Sequence, residues 1–352
     1  MAPKTSSTWI LPCQNGIESL QLLEDTPVPE IGDHQVLVKV HAASLNYRDI
    51  VIAKGEPQLS HFRPGVIPGS DGAGIVEAVG SNVSDFRLGD RVCTHLTSGL
   101  PSDKAASWND VCEFGLGHNY NGTLSSYAVF HESSLVHMPA NLDFLQASTL
   151  TCSGLTAWNA LFGLEGLKPK KGDWVLIQGT GGVSIAALQF ALAAGATIIA
   201  TTSSTVKAER LKSLGAHHVL NYREDPNWGE TAKGFTPNSQ GVNIVVDVGG
   251  LSTLPQSVKA IRAGGLIALA GLLGGASENA SIPTLMDCLV NTYIVRGLML
   301  GTRDQYREMN QFIEENDIKP ILDDQVFDYR QAKEAYHYLQ QQRHFSKVCI
   351  RF

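Results

Sequence analysis

The chain has 352 residues, a length that suggests about two domains, each able to bury its own hydrophobic core. Hydrophobic residues make up 43% and charged residues 17% of the sequence, and the net charge of −7 argues against nucleic acid or an anionic membrane as a partner. No apolar run reaches the ~20 residues of a membrane span, no targeting signal is evident, and the six cysteines form no CxxC pair. We therefore expect a cytosolic, globular protein with reduced thiols.

The first third of the chain is rich in strand patterns punctuated by glycine. Residues 36–43 alternate in polarity as a half-buried strand does, residues 68–80 form a glycine-rich strand region, and residues 86–92 read as a turn into another strand. Residues 94–123 are polar and poorly periodic, so a long surface loop is expected there. These patterns are typical of a small barrel-like domain.

A strand, a glycine turn and a helix follow one another between Asp173 and Gly195. Residues 174–177 are a short apolar run, the sequence GTGG follows at 179–182, and residues 183–192 are apolar and alanine-rich. In this context the glycines permit a tight turn and the approach of a pyrophosphate to the helix N-terminus, with Ser184 at the third glycine position. The stretch predicts a dinucleotide site; a glycine-rich turn in some other α/β protein is the alternative.

Strands and helices alternate after this stretch. Strands are expected at 196–202, 219–222, 242–248, 265–271 and 293–300, and helices at 206–214 and 251–262. The continuous apolar runs are typical of a parallel sheet that is covered on both faces. Connecting helices are expected within 142–167, two more helices at 303–315 and 330–341, and a strand at 347–352.

Taken together, these features resemble the medium-chain dehydrogenase/reductase superfamily. The motifs SLNYRDI, PGSDGAGIVEAVG, GDRV, GLTAW and GTGGVS are similar to those of its zinc-free quinone oxidoreductase and enoyl reductase branch, and the resemblance covers essentially the whole chain apart from 94–123. It implies an α/β fold: a Rossmann doubly wound parallel sheet at 139–300, and a β-rich GroES-like catalytic domain at 1–138 completed by 301–352. It also implies a small-molecule substrate and a homodimer formed through the sixth strand.

The metal positions can be compared residue by residue. Where zinc-dependent relatives place Cys, His and Cys on the catalytic ion, this sequence has Asn46, Ser70 and Cys152, and Asn and Ser supply neither thiolate nor imidazole. The segment that corresponds to the structural zinc lobe, 94–123, holds one cysteine, Cys112, where four are needed. We therefore expect no bound metal.

The cofactor is expected to be NADPH. An NAD site usually carries Asp or Glu about 20 residues past the glycines, but no acidic residue lies between Thr180 and Glu209. Hydroxyls and a lysine suit a 2′-phosphate, and Ser203, Lys207 and Tyr222 match the serine, lysine and tyrosine of related NADPH enzymes. The alternative is an ordinary helix-capping Ser/Thr cluster beside a solvated lysine.

The resemblance implies further cofactor contacts. Thr156 would lie near the nicotinamide, backbone after the fifth and sixth strands would contact the carboxamide, and Lys347 would approach the phosphates. The complete expected set is Asn46, Thr156, Gly179, Gly181, Gly182, Val183, Ser203, Lys207, Tyr222, Gly271, Leu272, Leu298, Met299 and Lys347.

Without a metal, a hydrogen-bond donor has to polarise the group that accepts the hydride. The acceptor must then be easily reduced, as an enal, enone, enoyl thioester or quinone is. Tyr47 is the expected donor or proton source, with a half-buried structural tyrosine as the alternative. Asn46 is expected to contact the nicotinamide ribose or the substrate carbonyl, and Asp49 to orient this loop.

Two other functions remain open at this point. One is the reduction of a plain aldehyde or ketone to an alcohol with the assistance of the tyrosine, against which the loss of the zinc ligands argues. The other is a nucleotide-binding sensor or partner subunit whose reductase activity is vestigial.

Overall fold

The structure is a computed structural model that describes residues 5–59, 62–271 and 282–352, and the chain divides into two compact units. The two-segment unit consists of Met1–Leu155 and Thr302–Phe352, and the continuous unit of Thr156–Gly301. The division after Leu155 differs from the expected boundary at 138/139 because the intervening residues pack on the two-segment unit. Ser44 Oγ donates to the Ser148 carbonyl oxygen at 2.9 Å, and Thr151 Oγ1 donates to the Thr94 carbonyl oxygen at 2.8 Å.

The first segment of the two-segment unit is mostly β-structure. Its strands and helices are β1 (Thr5–Ile10), β2 (Gln21–Pro27), β3 (Gln35–Leu45), α1 (Tyr47–Lys54), β4 (Asp71–Val79), β5 (Arg91–Thr94), α2 (Trp108–Phe114), β6 (Tyr127–His131), β7 (Leu135–His137) and α3 (Phe144–Ala147). One π-helical turn, Leu150–Gly154, follows α3.

The continuous unit alternates strands and helices. They are α4 (Leu155–Phe162), β8 (Trp174–Gln178), α5 (Gly182–Ala193), β9 (Thr197–Thr202), α6 (Thr205–Ser213), β10 (His218–Asn221), α7 (Trp228–Phe235), β11 (Val242–Asp247), α8 (Leu254–Ala260), β12 (Ile261–Leu269), α9 (Leu285–Asn291) and β13 (Ile294–Gly297). The six strands form one parallel sheet in the order β10-β9-β8-β11-β12-β13. The strand order reverses between β8 and β11, which is where open α/β sheets bind ligands.

The second segment of the two-segment unit returns to the first sheet. It contains α10 (Arg303–Glu315), β14 (Leu322–Asp328), α11 (Ala332–Gln340) and β15 (Lys347–Arg351). The sheet runs β14-β15-β3-β4-β5-β7, with β6 also paired to β3. In the antiparallel pair of β15 and β3, Val348 lies opposite Leu45, so that the start of β15 adjoins the end of β3.

The expected α/β fold class, a Rossmann sheet with a β-rich GroES-like domain, is confirmed. The expected loop at 94–123 is wrong in part, because this segment contains α2 and buries Leu96, Leu116 and His118. Its polar groups are paired locally, as when the His118 ring lies 2.8 Å from the Cys112 carbonyl oxygen, so a polar composition did not mean exposure. Among the described residues, no helix combines the length and apolar character needed to cross a membrane.

Candidate functional site

Asn46 lies at the turn from β3 into α1. Its backbone N–H donates to Asp49 Oδ2 at 2.7 Å, and the Asp49 N–H donates to the Asn46 carbonyl oxygen at 3.0 Å. This reciprocal arrangement satisfies N–H groups at the helix start and fixes the path of the chain into α1. Tyr47 is the first residue of α1 and packs, partly buried, against the apolar core of the two-segment unit. The geometry agrees with the expectation that Asp49 orients this loop.

The ammonium group of Lys347 is buried beside this turn. Its Nζ donates to Asn46 Oδ1 at 2.6 Å, to the Leu45 carbonyl oxygen at 3.0 Å and to Asp71 Oδ2 at 3.1 Å. Lys347 is 4% exposed and Asp71 is fully buried. All three ammonium N–H groups therefore have an acceptor within the two-segment unit. The expectation that Lys347 approaches the cofactor phosphates stays a prediction; in this structure its ammonium group bonds to Leu45, Asn46 and Asp71.

Asp71 is the acceptor around which these groups converge. Ser70 Oγ donates to its Oδ1 at 2.8 Å, and the Cys152 backbone N–H donates to its Oδ2 at 3.3 Å. A buried carboxylate is tolerated when it is paired and hydrogen-bonded in this way. The sequence analysis assigned Asp71 no role. The available signal was an acidic residue at the start of an apolar, glycine-rich strand.

The orientation of the Asn46 carboxamide follows from the chemistry of its partners. Lys347 Nζ can only donate, so the atom that faces it at 2.6 Å must be the carbonyl oxygen of the side chain. The same Oδ1 accepts a second hydrogen bond from Ser153 Oγ at 3.4 Å. Asn46 is 8% exposed, and its Nδ2 has no hydrogen-bond partner among the described residues. The side chain thus presents an amide donor whose hydrogen bond is left for a water or a bound ligand.

The three positions that bind catalytic zinc in zinc-dependent relatives do not fit a metal here. Asn46 Oδ1 accepts from an ammonium group, and the Ser70 hydroxyl donates to Asp71. Removal from water raises the pKa of the Cys152 thiol to about 12, and the Asp71 charge adds to this effect. With neither thiolate nor imidazole at the other two positions, one cysteine does not complete a tetrahedral zinc site. In the described parts of the chain, no group of three or more His, Cys, Asp and Glu side chains is arranged to hold a metal ion.

Burial also acts on the Asp49 carboxyl group. Loss of water raises its pKa to about 6, although the neighbouring Arg48 guanidinium and the Asn46 N–H favour the ionised form. Asp49 Oδ1 has no partner among the described residues. The residue that orients the start of α1 therefore titrates close to neutral pH.

The continuous unit holds the glycine turn at the carboxyl end of β8. Gly179 has φ +75°, which favours glycine, and Gly181 precedes α5, whose first two residues are Gly182 and Val183. A Cβ atom on Gly181 would meet no protein atom within 4 Å. Open space thus adjoins the N-terminus of a twelve-residue helix, where unpaired N–H groups favour an anion. These residues fit the pyrophosphate of a dinucleotide.

Hydrogen bonds of Ser184 and Gln178 stabilise this glycine turn. Ser184 Oγ donates to the Gln178 carbonyl oxygen at 2.6 Å, and Gln178 Nε2 donates to Asp247 Oδ2 at 3.2 Å and to Ser257 Oγ at 2.7 Å. Asp247 also accepts the N–H groups of residues 249 and 250. The network ties together the carboxyl ends of β8 and β11. The sequence analysis missed Gln178 and Asp247, although an acidic residue that ends an apolar strand before two glycines was a visible signal.

The three residues expected at the 2′-phosphate share one end of the sheet. Ser203 directly follows β9, Lys207 lies in the first turn of α6, and Tyr222 directly follows β10, the strand adjacent to β9. The Tyr222 N–H donates to the Thr202 carbonyl oxygen at 3.1 Å, which holds the two strand ends together. The cap of α6 is a different residue, Ser204, whose hydroxyl accepts the Lys207 N–H. Capping and phosphate contact are thus compatible.

Among the described residues, the remaining expected cofactor positions follow strand ends, with the exception of Thr156. Gly271 follows β12, and its N–H donates to the Asp247 carbonyl oxygen at 3.1 Å; Leu298 and Met299 follow β13. Thr156 is buried in α4. Leu272 lies outside the described residues.

Comparison with known proteins agrees with this architecture. The model of the alcohol dehydrogenase GroES-like domain matches residues 32–140, and that of the zinc-binding dehydrogenase matches residues 182–315. A zinc-type alcohol dehydrogenase-like protein of Schizosaccharomyces pombe is 42% identical, over 93% of this chain and 94% of its own. The chain belongs to the medium-chain dehydrogenase/reductase superfamily of oxidoreductases.

Two further relatives are informative. An NADPH-dependent alkenal/one oxidoreductase of the Arabidopsis thaliana chloroplast is 29% identical over 99% of this chain and 80% of its own. A solved structure from Sinorhizobium meliloti, described as an alcohol dehydrogenase, is 34% identical over the whole of both chains, with a TM-score of 0.88. The relatives therefore share a fold but carry names that imply different substrates.

Proposed function

We propose that the protein is an NADPH-dependent, zinc-independent reductase that transfers a hydride to an activated C=C bond, such as that of an enone, enal or enoyl thioester, or to a quinone. The observation that carries the proposal is the buried Lys347–Asp71 ion pair, which is hydrogen-bonded to Asn46 at a position where zinc-dependent relatives have a metal ligand. The Lys347 ammonium group, bonded to three oxygens, balances the Asp71 charge and orders the Asn46 side chain in the absence of a metal ion. A plain carbonyl would lack the polarisation that zinc supplies, whereas a conjugated acceptor needs less.

In the proposed reaction the chain positions the acceptor and manages charge. NADPH, when bound, supplies the hydride for the β-carbon of the acceptor. The Asn46 Nδ2 group donates to oxygen, either of the nicotinamide ribose or of the acceptor carbonyl as negative charge develops there. The Tyr47 hydroxyl gives its proton to the α-carbon and is reprotonated from water, so that one hydride and one proton saturate the bond.

The preference for NADPH rests on the ends of β9 and β10. Ser203, Lys207 and Tyr222 offer two hydroxyls and an ammonium where an NAD site would carry a carboxylate, and β9 ends in Thr202. The Arabidopsis relative, which is named as NADPH-dependent, supports the same choice.

A second function, reduction of a plain aldehyde or ketone, has one observation in its favour. The relative at 42% identity and the solved structure at 34% identity both carry alcohol dehydrogenase names. Asn46, Ser70 and Cys152 argue against this second function, because they do not form a zinc site.

One assay separates these functions. Fluorescence titration with NADPH and NADH is followed by NADPH oxidation with enones, quinones and saturated aldehydes, with and without a chelator. We expect tighter binding of NADPH and chelator-insensitive turnover of enones or quinones. Chelator-sensitive turnover of saturated carbonyls would reject the proposal, and binding without any turnover would favour the sensor function.

Replacement of Tyr47 by Phe tests the proton donor. We expect kcat on an enone to fall by roughly 10²-fold or more while the affinity for NADPH is kept, because general acid catalysis contributes about that much. Tyr338→Phe, which removes a hydroxyl bonded to Asp323 in the same unit, is the control. Near-normal turnover by Tyr47→Phe would remove this residue from the mechanism.

We also propose that the protein forms a homodimer through β13. This strand is at the edge of the described sheet, and Ile294 and Val295 on it are exposed, as are Leu285 and Leu289 on α9. An open apolar edge strand is a template for pairing with a second copy.

A cytosolic location is proposed from the cysteines. No disulfide joins any of the six, and Cys93 and Cys349 are buried. Unlinked thiols are typical of proteins from reducing compartments.

A further inference from the structure

We infer that Lys347 is a positioning residue that holds the Asn46 carboxamide with its Nδ2 group directed to the bound cofactor or acceptor. The inference rests on the proposed function for the identity of the ligand. The inference goes beyond the proposed function because it gives the buried Lys347 ammonium group a role in ligand recognition.

An Asn side chain has two nearly isosteric ends. The oxygen and the NH₂ group occupy similar volumes, so packing alone distinguishes them poorly. In this site the choice is made by chemistry, since Lys347 Nζ at 2.6 Å and Ser153 Oγ at 3.4 Å both donate to Oδ1. The NH₂ group is left on the opposite side of the carboxamide.

The Asn46 NH₂ group is buried, and no residue that the structure describes accepts its hydrogen bonds. Asn46 as a whole is 8% exposed. An unsatisfied buried donor is unfavourable, so its retention next to Tyr47 indicates a partner that arrives with the ligand. Lys347 holds this donor in place because the opposite orientation would bring two N–H groups against the ammonium.

Lys347 is itself held in a fixed position. Its charge is balanced by Asp71, and its third N–H is taken by the Leu45 carbonyl oxygen immediately before Asn46. The ammonium is therefore fixed from three sides, two of which are independent of the Asn46 side chain. A group with a fixed location can orient its neighbour.

The inference is tested by a double-mutant cycle of Lys347→Met and Asn46→Ala. Lys347→Met is always combined with Asp71→Asn, and Asp71 is kept wherever Lys347 or its Arg replacement is present, so that no buried charge is left unpaired. We expect each change to lower kcat/KM for an enone by about 10²-fold, in the range found for loss of one such donor, and the double variant to lose no more than Asn46→Ala alone. Lys347→Arg, which keeps the charge and the donors, should recover much of the activity. Additive losses would show a merely structural lysine and overturn the inference.

A second measurement does not depend on turnover. The side-chain amide signal of Asn46 is identified in ¹⁵N-asparagine-labelled protein by its absence from Asn46→Asp, and NADP⁺ is added as the probe. We expect a ligand-induced shift of this signal in the wild type and in Lys347→Arg, and its loss in Lys347→Met/Asp71→Asn. An equal shift in all three overturns the inference and leaves the proposed function intact. If the wild type binds neither NADPH nor NADP⁺, both the inference and the proposed function are overturned. If the wild type reduces saturated carbonyls and no enone or quinone, the proposed function is overturned but the inference is not.

Discussion

At the scale of single residues, the Asp49 carboxyl group is ionisable but is removed from water. Its pKa in the folded protein is about 6, compared with the ordinary value of 3.8, because burial outweighs the attraction of Arg48. Between these two values the folded chain holds a proton that the unfolded chain has lost. The associated stabilisation is complete below the unfolded value and is lost as the pH rises through about 6.

Asp49→Asn is therefore expected to change the pH dependence of stability. The free energy of unfolding of the wild type, measured relative to this variant, should fall by roughly 2 kcal/mol between pH 4 and pH 7. Denaturant unfolding at several pH values measures it. Asp110→Asn is the control: its hydrogen bonds to Ser107 lower the pKa of Asp110 to about 2, so its effect should be flat over this range. Parallel curves for the wild type and Asp49→Asn would contradict the prediction.

A second prediction concerns the recognition of the 2′-phosphate of NADPH by Lys207. Lys207→Ala should raise the Kd for NADPH by roughly tenfold or more and leave that for NADH nearly unchanged, since a charge-assisted hydrogen bond contributes about 1.5–3 kcal/mol. Lys212→Ala on the same helix removes a lysine that is paired with Glu209 and serves as the control. Equal losses for both cofactors would show that Lys207 does not recognise the 2′-phosphate.

The candidate site could be predicted from the sequence only where local motifs specify it. The turn at Asn46 and Tyr47 and the hydroxyls after β9 were found because they lie within or next to recognisable strand ends. The environment of Lys347 was not, because its acceptors Asn46 and Asp71 are more than 270 residues away in sequence. Such a contact depends on the pairing of β15 with β3, and nothing in the local pattern specifies that pairing.

At the scale of elements, two glycines of the turn before α5 are needed for different reasons, one for its backbone conformation and the other for the space it leaves open. Gly179 has φ +75°, a conformation that residues with a Cβ atom adopt unfavourably. Gly179→Ala should therefore lower the free energy of unfolding by about 1 kcal/mol or more. Gly181 has φ −79° and open space around a Cβ atom, so Gly181→Ala should fold with unchanged stability but bind NADPH more weakly. Thermal unfolding and NADPH titration of the two variants measure both effects. Full affinity in Gly181→Ala would mean that the pyrophosphate does not approach this turn.

The sequence predicted elements best where one pattern dominated. The central strands of the parallel sheet contain buried apolar runs at 175–177, 198–200 and 244–246, and all six strands were located to within a few residues. The expected helix at 251–262 is α8, Leu254–Ala260, which has Pro255 in its first turn, as is common at a helix start. Strands β1, β2, β6, β7 and β14 and helices α1, α2, α7 and α9 were not predicted, because their patterns are short and tertiary packing decides their conformation.

At the scale of the whole molecule, the exposed apolar residues of α9 and β13 predict self-association. Leu289→Lys should convert a dimer to a monomer, because a charge would have to be buried in the interface. Leu88→Lys replaces a leucine of similar exposure, 71% against 68%, in the two-segment unit and should leave the dimer intact. Light scattering coupled to size-exclusion chromatography measures the mass. A monomeric wild type, or a Leu289→Lys dimer, would contradict the prediction.

The two-segment construction of one unit has a consequence for biosynthesis. Residues of the continuous unit leave the ribosome as one uninterrupted stretch, whereas Asp71 and Asn46 are translated long before the lysine that neutralises and orients them. Closing the intervening chain costs roughly 5 kcal/mol of entropy in the unfolded state, a cost that a previously folded continuous unit reduces by shortening the effective loop. Until β15 is translated, the nascent chain carries a carboxylate without its counter-ion. The Asn46–Lys347 part of the proposed ligand site therefore forms only after β15 has been translated, later than the glycine turn of the continuous unit.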